Sequence, residues 1–120
     1  MRISDAEKKL MDVLWERGPT SAEDLIREAG IGQDWTEGTI RTLINRLLQK
    51  KAISSRKEAG RAVYHPLVER ADYVQAESQG LLNKLFDGEL APMVVHFAEH
   101  RALTPKDIET LKALIARIET

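Results

Sequence analysis

Apolar residues in the stretch from Thr36 to Lys51 recur at Ile40, Leu43, Ile44, Leu47 and Leu48, the i, i+3, i+4, i+7, i+8 spacing that gathers them on one side of a helix. The pattern predicts a helix over 36–51 with Thr36 as its N-cap. Turned at roughly 100° per residue, that helix sets Gly38, Thr42, Asn45 and Gln49 opposite the stripe. Arg41 and Arg46 stand on its shoulders, and Lys50 and Lys51 at its end. A solvated helix face usually alternates Glu with Lys for mutual support, yet no acidic residue occurs between Gly38 and Ala52. Amides and hydroxyls flanked by guanidinium groups are the chemistry that pairs with base edges and phosphates. The plainer alternative is an ordinary solvated face. Gly38 lowers helix propensity in the first turn, a cost that fits another backbone passing close by.

The flanking segments extend the pattern. Ser4 to Arg17 reads as a helix opened by a Ser4/Glu7 capping box, with Ala6, Leu10, Val13 and Leu14 on one side, and Gly18-Pro19 stops it. Thr20 with Glu23 suggests a second box before a short helix over 21–29. Two short helices, a turn and a polar-faced third helix make a helix-turn-helix unit. The residues that follow, 52–65, predict a β-hairpin whose tip carries Arg56, Lys57 and Arg61, ending before Pro66. Placed after such a helix, a hairpin is a wing, although a solvated loop has the same composition.

Beyond Pro66 three apolar helices are expected: 71–86, 89–100, and a last one capped by Thr104 with Pro105 at its first position. Leu81, Leu85, Val94 and Phe97 lie on the first two, and Ile108, Leu111, Ile115 and Ile118 form a heptad seam beside Leu114 on the third. About fifty residues bury apolar side chains poorly on their own. A second copy would cover these side chains; folding back onto the N-terminal unit is the alternative. The predicted architecture is mainly α: a winged helix-turn-helix domain over 1–68 with a small β-hairpin wing, then a three-helix dimerisation domain over 69–120.

The formal net charge of −1 argues against a polyanion partner until the chain is divided. Residues 38–65 hold seven basic residues against Glu58 alone, a local +6, and it is the local field that selects a partner. The 120 residues contain no cysteine, which removes disulfides, thiolate metal sites and thiol nucleophiles. No run reaches the length of a membrane span and the N-terminus lacks a signal-peptide segment, so a cytoplasmic protein without membrane insertion is expected. No Gly-rich phosphate loop, nucleophile-base set or carboxylate pair stands out, so neither catalysis nor a cofactor is expected. His96 and His100 have i, i+4 spacing but lack the H-E-x-x-H pattern, and no metal site is assigned. The DNA-binding candidates are Arg41, Thr42, Asn45, Arg46, Gln49, Lys50, Arg56, Lys57 and Arg61. The expected partner is double-stranded DNA, and a homodimer would set two helices about one turn apart, roughly 34 Å, on an inverted repeat. A winged-helix module that docks on protein is the competing reading; it would more often expose aromatics on that helix.

Three segments in order resemble the penicillinase-repressor (BlaI/MecI/CopY) family of bacterial winged-helix repressors. They are TIRTLINRLLQKKAI (39–53), the end of the wing from Gly60 through Tyr64-His65-Pro66 to Val68, and LLNKLFDGEL (81–90) followed by VVHFAEH (94–100). The resemblance implies repression by occupying an inverted-repeat promoter operator, with β-lactam resistance or metal homeostasis genes as targets. It implies DNA contacts from Thr39, Arg41, Thr42 and Arg46, and a basic wing at Arg56, Lys57 and Arg61. In the penicillinase branch a membrane sensor protease leads to cutting at an Asn-Phe pair in the C-terminal helices, a pair that is His96-Phe97 here. The copper-responsive branch carries a cysteine-rich tail, and a chain without cysteine cannot sense copper by that device.

Overall fold

The computed structural model describes residues 2–119. Helix α1 (Asp5–Arg17) leads to a short strand β1 (Thr20–Ser21), then α2 (Ala22–Gly30) and α3 (Glu37–Gln49). The hairpin strands β2 (Ile53–Glu58) and β3 (Arg61–Pro66) follow, then α4 (Arg70–Phe86), α5 (Leu90–Glu99) and α6 (Pro105–Glu119). The chain divides into two compact units, one through Tyr73 and the other from Val74 onward. The first unit therefore runs past the expected boundary after Val68. Trp15 supplies the reason: its indole Nε1 donates to the Val68 carbonyl at 2.8 Å, and its ring lies 5.3 Å from that of Tyr73.

Local signals account for the helix starts. Ser4 and Glu7 form the complete capping box of α1, and the Thr36 hydroxyl accepts from the Thr39 amide to open α3. For α2 the cap is Ser21, whose hydroxyl accepts from the Asp24 amide at 3.2 Å, not Thr20 with Glu23. Thr20 is drawn into β1, where it pairs with Tyr64 as Ser21 pairs with Val63, and its hydroxyl donates to the Gly18 carbonyl. The sheet order β1-β3-β2 is thus antiparallel throughout and locks the start of α2 to the hairpin.

The stripe expected on α3 is the centre of the core. Ile40, Leu43, Ile44 and Leu47 are buried against Leu10, Met11 and Leu14 of α1 and Leu25 and Ala29 of α2, with Ile53 and Tyr64 closing the sheet side. At the far end of α3 the amide of Ala52 reaches the Leu47 carbonyl and that of Lys51 reaches Leu48, with Lys51 at φ 61°. This left-handed C-terminal cap is a position where glycine is usual.

No residue of α4 or α5 is buried. Thr104 and Asp107 exchange capping hydrogen bonds at 3.1 Å to begin α6, as its sequence indicates. No described helix is long and apolar enough to cross a membrane.

Candidate nucleic-acid interface

The exposed side of α3 begins from what its buried side leaves over. Thr39, Arg41, Thr42, Asn45, Arg46 and Gln49 are all exposed. The Thr42 hydroxyl donates to the Gly38 carbonyl at 3.0 Å, and Thr39 and Thr36 share a hydroxyl contact at 3.0 Å. Among the described residues, the side chains of Asn45, Arg46 and Gln49 take no hydrogen bond or ion pair. Their donors and acceptors are available to an outside partner. A Cβ built on Gly38 would meet only the Thr36 hydroxyl, at 3.7 Å, an ordinary contact. Nothing among the described residues demands glycine there.

Lys50, expected on this face, is engaged elsewhere. Its ammonium donates to the Arg2 carbonyl at 2.8 Å and to Glu7 Oε1. Glu7 is 1% exposed, and Oε1 also accepts from the Ser4 amide at 2.8 Å. Burial pushes the Glu7 pKa up; hydrogen bonds from Lys50 and Ser4, with the Lys50 charge, pull it down and prevail, so it lies below the ordinary value of 4.5. Lys50 therefore neutralises a buried carboxylate from the end of α3. Sequence spacing gives no hint of a pair 43 positions apart.

The hairpin forms as expected, with a two-residue tip. Ala59 and Gly60 both take positive φ, 52° and 77°, the geometry of a type I′ turn that matches strand twist. Its register, Glu58 opposite Arg61 and Arg56 opposite Val63, sets Arg56, Glu58, Arg61 and His65 on one face and Lys57 on the other. The basic tip is thus two-sided. Glu58, its single acid, lies 2.8 Å from His65 Nε2, and Arg61 stands 3.9 Å from Glu23 with both side chains exposed. Arg56 and Lys57 have no acidic partner among the described residues.

Sequence reasoning overlooked Glu37. It is the first residue of α3, just outside the acid-free stretch, and its Oε2 accepts from Arg41 Nε at 3.2 Å. The i, i+4 Glu-to-Arg spacing was the available signal.

Within the second unit, Leu81, Leu85, Phe97, Ile108, Leu114, Ile115 and Ile118 are exposed, Ile118 by 74%, while Val94 and Leu111 are half-buried. The His96 and His100 rings are 4.3 Å apart, and His96 lies beside Phe97 at 5.5 Å. Among the described residues there is no group of three or more His, Cys, Asp or Glu side chains that could hold a metal ion.

Three helices closed by a short three-stranded sheet, with an open polar face on the third helix, define a winged helix. The chain belongs to the penicillinase repressor family, whose model matches residues 3–117. It is 32% identical over 114 residues to the penicillinase repressor of Bacillus licheniformis, covering 95% of this chain and 89% of that one. It is 34% identical over 113 residues to the methicillin resistance regulatory protein MecI of Mammaliicoccus sciuri, covering 94% and 92%. Among solved structures it resembles the DNA-binding domain of the repressor BlaI (TM-score 0.55, 35% identity, 60% of this chain and 88% of that one). It also resembles monomeric Bacillus licheniformis BlaI in complex with the blaP half-operator (TM-score 0.55, 34% identity, 61% and 89%). The family role is regulatory DNA binding, not catalysis.

Proposed function

We propose that this protein is a dimeric transcriptional repressor that occupies an inverted-repeat operator. In this reading α3 enters the major groove, where Thr39, Arg41, Thr42, Asn45, Arg46 and Gln49 meet base edges and nearby phosphates. The wing contributes Arg56, Lys57 and Arg61, and the helices after Val74 join two copies. The observation that carries the reading is the open hydrogen-bonding face of α3 at Asn45, Arg46 and Gln49, set on a helix whose opposite side is fixed in the core. The half-operator bound by the similar BlaI structure supports it. Dimerisation draws support from the exposed apolar side chains of α4–α6, since a lone chain would leave them in water.

Affinity for operator DNA should fall steeply with salt. Neutralising roughly eight phosphates per dimer gives a log-log slope of about −7, measured by gel shift across a salt series. A slope near zero would remove the reading. Relief of repression belongs to the same proposal: a membrane sensor protease signals cutting at His96-Phe97. That bond lies inside α5, with the His96 carbonyl accepting from the His100 amide, so cutting requires local unwinding. Mass spectrometry of the protein from derepressed cells tests it, with a fragment ending at His96 expected and an intact chain contradicting it.

A further inference from the structure

Glu37 is the single acid on α3, and it stands at the helix start, where the N–H groups of the first turn attract anions. Its carboxylate takes Arg41 by Nε alone, at 3.2 Å. Both side chains are more than half exposed, 55% for Arg41 and 66% for Glu37. The contact therefore adds little to folding, because exposed pairs are screened by water. Its consequence lies in what it leaves. With Nε occupied, the two terminal nitrogens of this exposed guanidinium take no hydrogen bond among the described residues, a fork that matches a pair of acceptors in one plane. In the major groove that pair is O6 and N7 of guanine. A phosphate approaching the same arginine also approaches the Glu37 carboxylate, and is repelled.

We propose that Glu37 is a specificity-determining residue, holding Arg41 by Nε so that it reads guanine and is kept from neutralising a backbone phosphate. This rests on the DNA-binding function proposed above. Without Glu37, Arg41 is free to bind any phosphate within reach. Affinity then rises for all sequences while preference for the operator falls.

The test compares the wild type with Glu37→Gln, Arg41→Ala and the double variant, on the protected upstream inverted repeat and on a scrambled duplex of equal length, over a salt series. Glu37→Gln should bind the scrambled duplex several-fold more tightly and lower the operator-to-scrambled ratio. Its log-log slope should steepen by about 0.9 per subunit, the mark of one added phosphate contact. In the Arg41→Ala background the same change should leave slope and ratio unaltered, because no guanidinium remains to be released. If Glu37→Gln shifts both duplexes equally, or if the gain persists without Arg41, Glu37 acts only as a distant charge and the inference is overturned. A wild type that prefers neither duplex overturns the DNA-reading function itself, a result separate from these two. The exposed position of Glu37 leaves folding intact, which the melting temperature of each variant checks.

Discussion

Lys50 at the C-cap of α3 places its ammonium on Glu7, a carboxylate buried in the first turn of α1, and so ties the end of α3 to the start of the chain. Glu7 serves two purposes. It closes the capping box of α1 with Ser4 and supplies the counter-charge of Lys50. One carboxylate oxygen, Oε2, has no partner among the described residues, so the site depends on Oε1 keeping both of its donors.

Acid should therefore weaken the fold through Glu7. Its folded pKa lies below the ordinary value of 4.5, so the native state binds fewer protons than the unfolded chain near that pH. The resulting stability is complete above the unfolded value and is lost as pH falls through the lowered folded one. Urea unfolding at pH 7, 5, 4 and 3 should show a decline below about pH 5 that is smaller in Glu7→Gln. Lys50→Met, which strands the buried carboxylate beside a site still partly open to water, should cost about 1–3 kcal/mol at pH 7. Equal acid sensitivity in wild type and Glu7→Gln would contradict this assignment.

Gly38→Ala separates folding from function. The substitution meets only ordinary contacts inside the protein and should stabilise the exposed helix by about 0.5–1 kcal/mol. If the DNA backbone passes against Gly38, operator affinity should nevertheless fall, by severalfold in a gel shift. A protein both more stable and equally tight on operator would show that no backbone approaches there.

Arg46 and Lys57 should fail differently. Arg46→Ala removes a free guanidinium from the α3 face and should cost operator binding about 1–3 kcal/mol while sparing scrambled DNA. Lys57, on the wing face opposite Arg56 and Arg61, should act as a phosphate contact. Lys57→Ala should weaken both duplexes alike and make the salt slope shallower by about 1 per subunit. Identical profiles for the two variants would refute this division of labour.

The apolar side chains of α6 predict a dimer that one charge should open. Ile118→Asp, at the most exposed position of the predicted heptad seam, should convert a dimer to a monomer in sedimentation equilibrium at micromolar concentration. The thermal transition of the first unit should be retained. A monomeric wild type would contradict the assembly.

What is legible in the sequence is what depends on near neighbours along the chain. The Ile40-Leu43-Ile44-Leu47 stripe, the Ser4/Glu7 and Thr36 caps and the hairpin around Gly60 follow from helical spacing, hydroxyl chemistry and turn preference, and each is present. What is not legible depends on partners brought together by folding. Strand β1 is two residues long and exists through Tyr64 and Val63; that pairing sets the α2 cap at Ser21 and not at Thr20. Lys50 reads as one more cation at the end of a basic helix, because Glu7 comes beneath it only when α1 packs on α3. In the candidate interface, the other residues expected on α3 and the wing are exposed, and Lys50 is held by Glu7, while the two-sided arrangement of the wing cations required the register of the hairpin.

The most direct measurement is a footprint of the purified protein on its own upstream DNA at moderate salt, with Arg46→Ala beside it and sizing of the free protein. A protected inverted repeat, bound by a dimer and lost in the variant, is the expected result. A well-folded dimer that protects no sequence would contradict it and favour a winged helix that docks on protein.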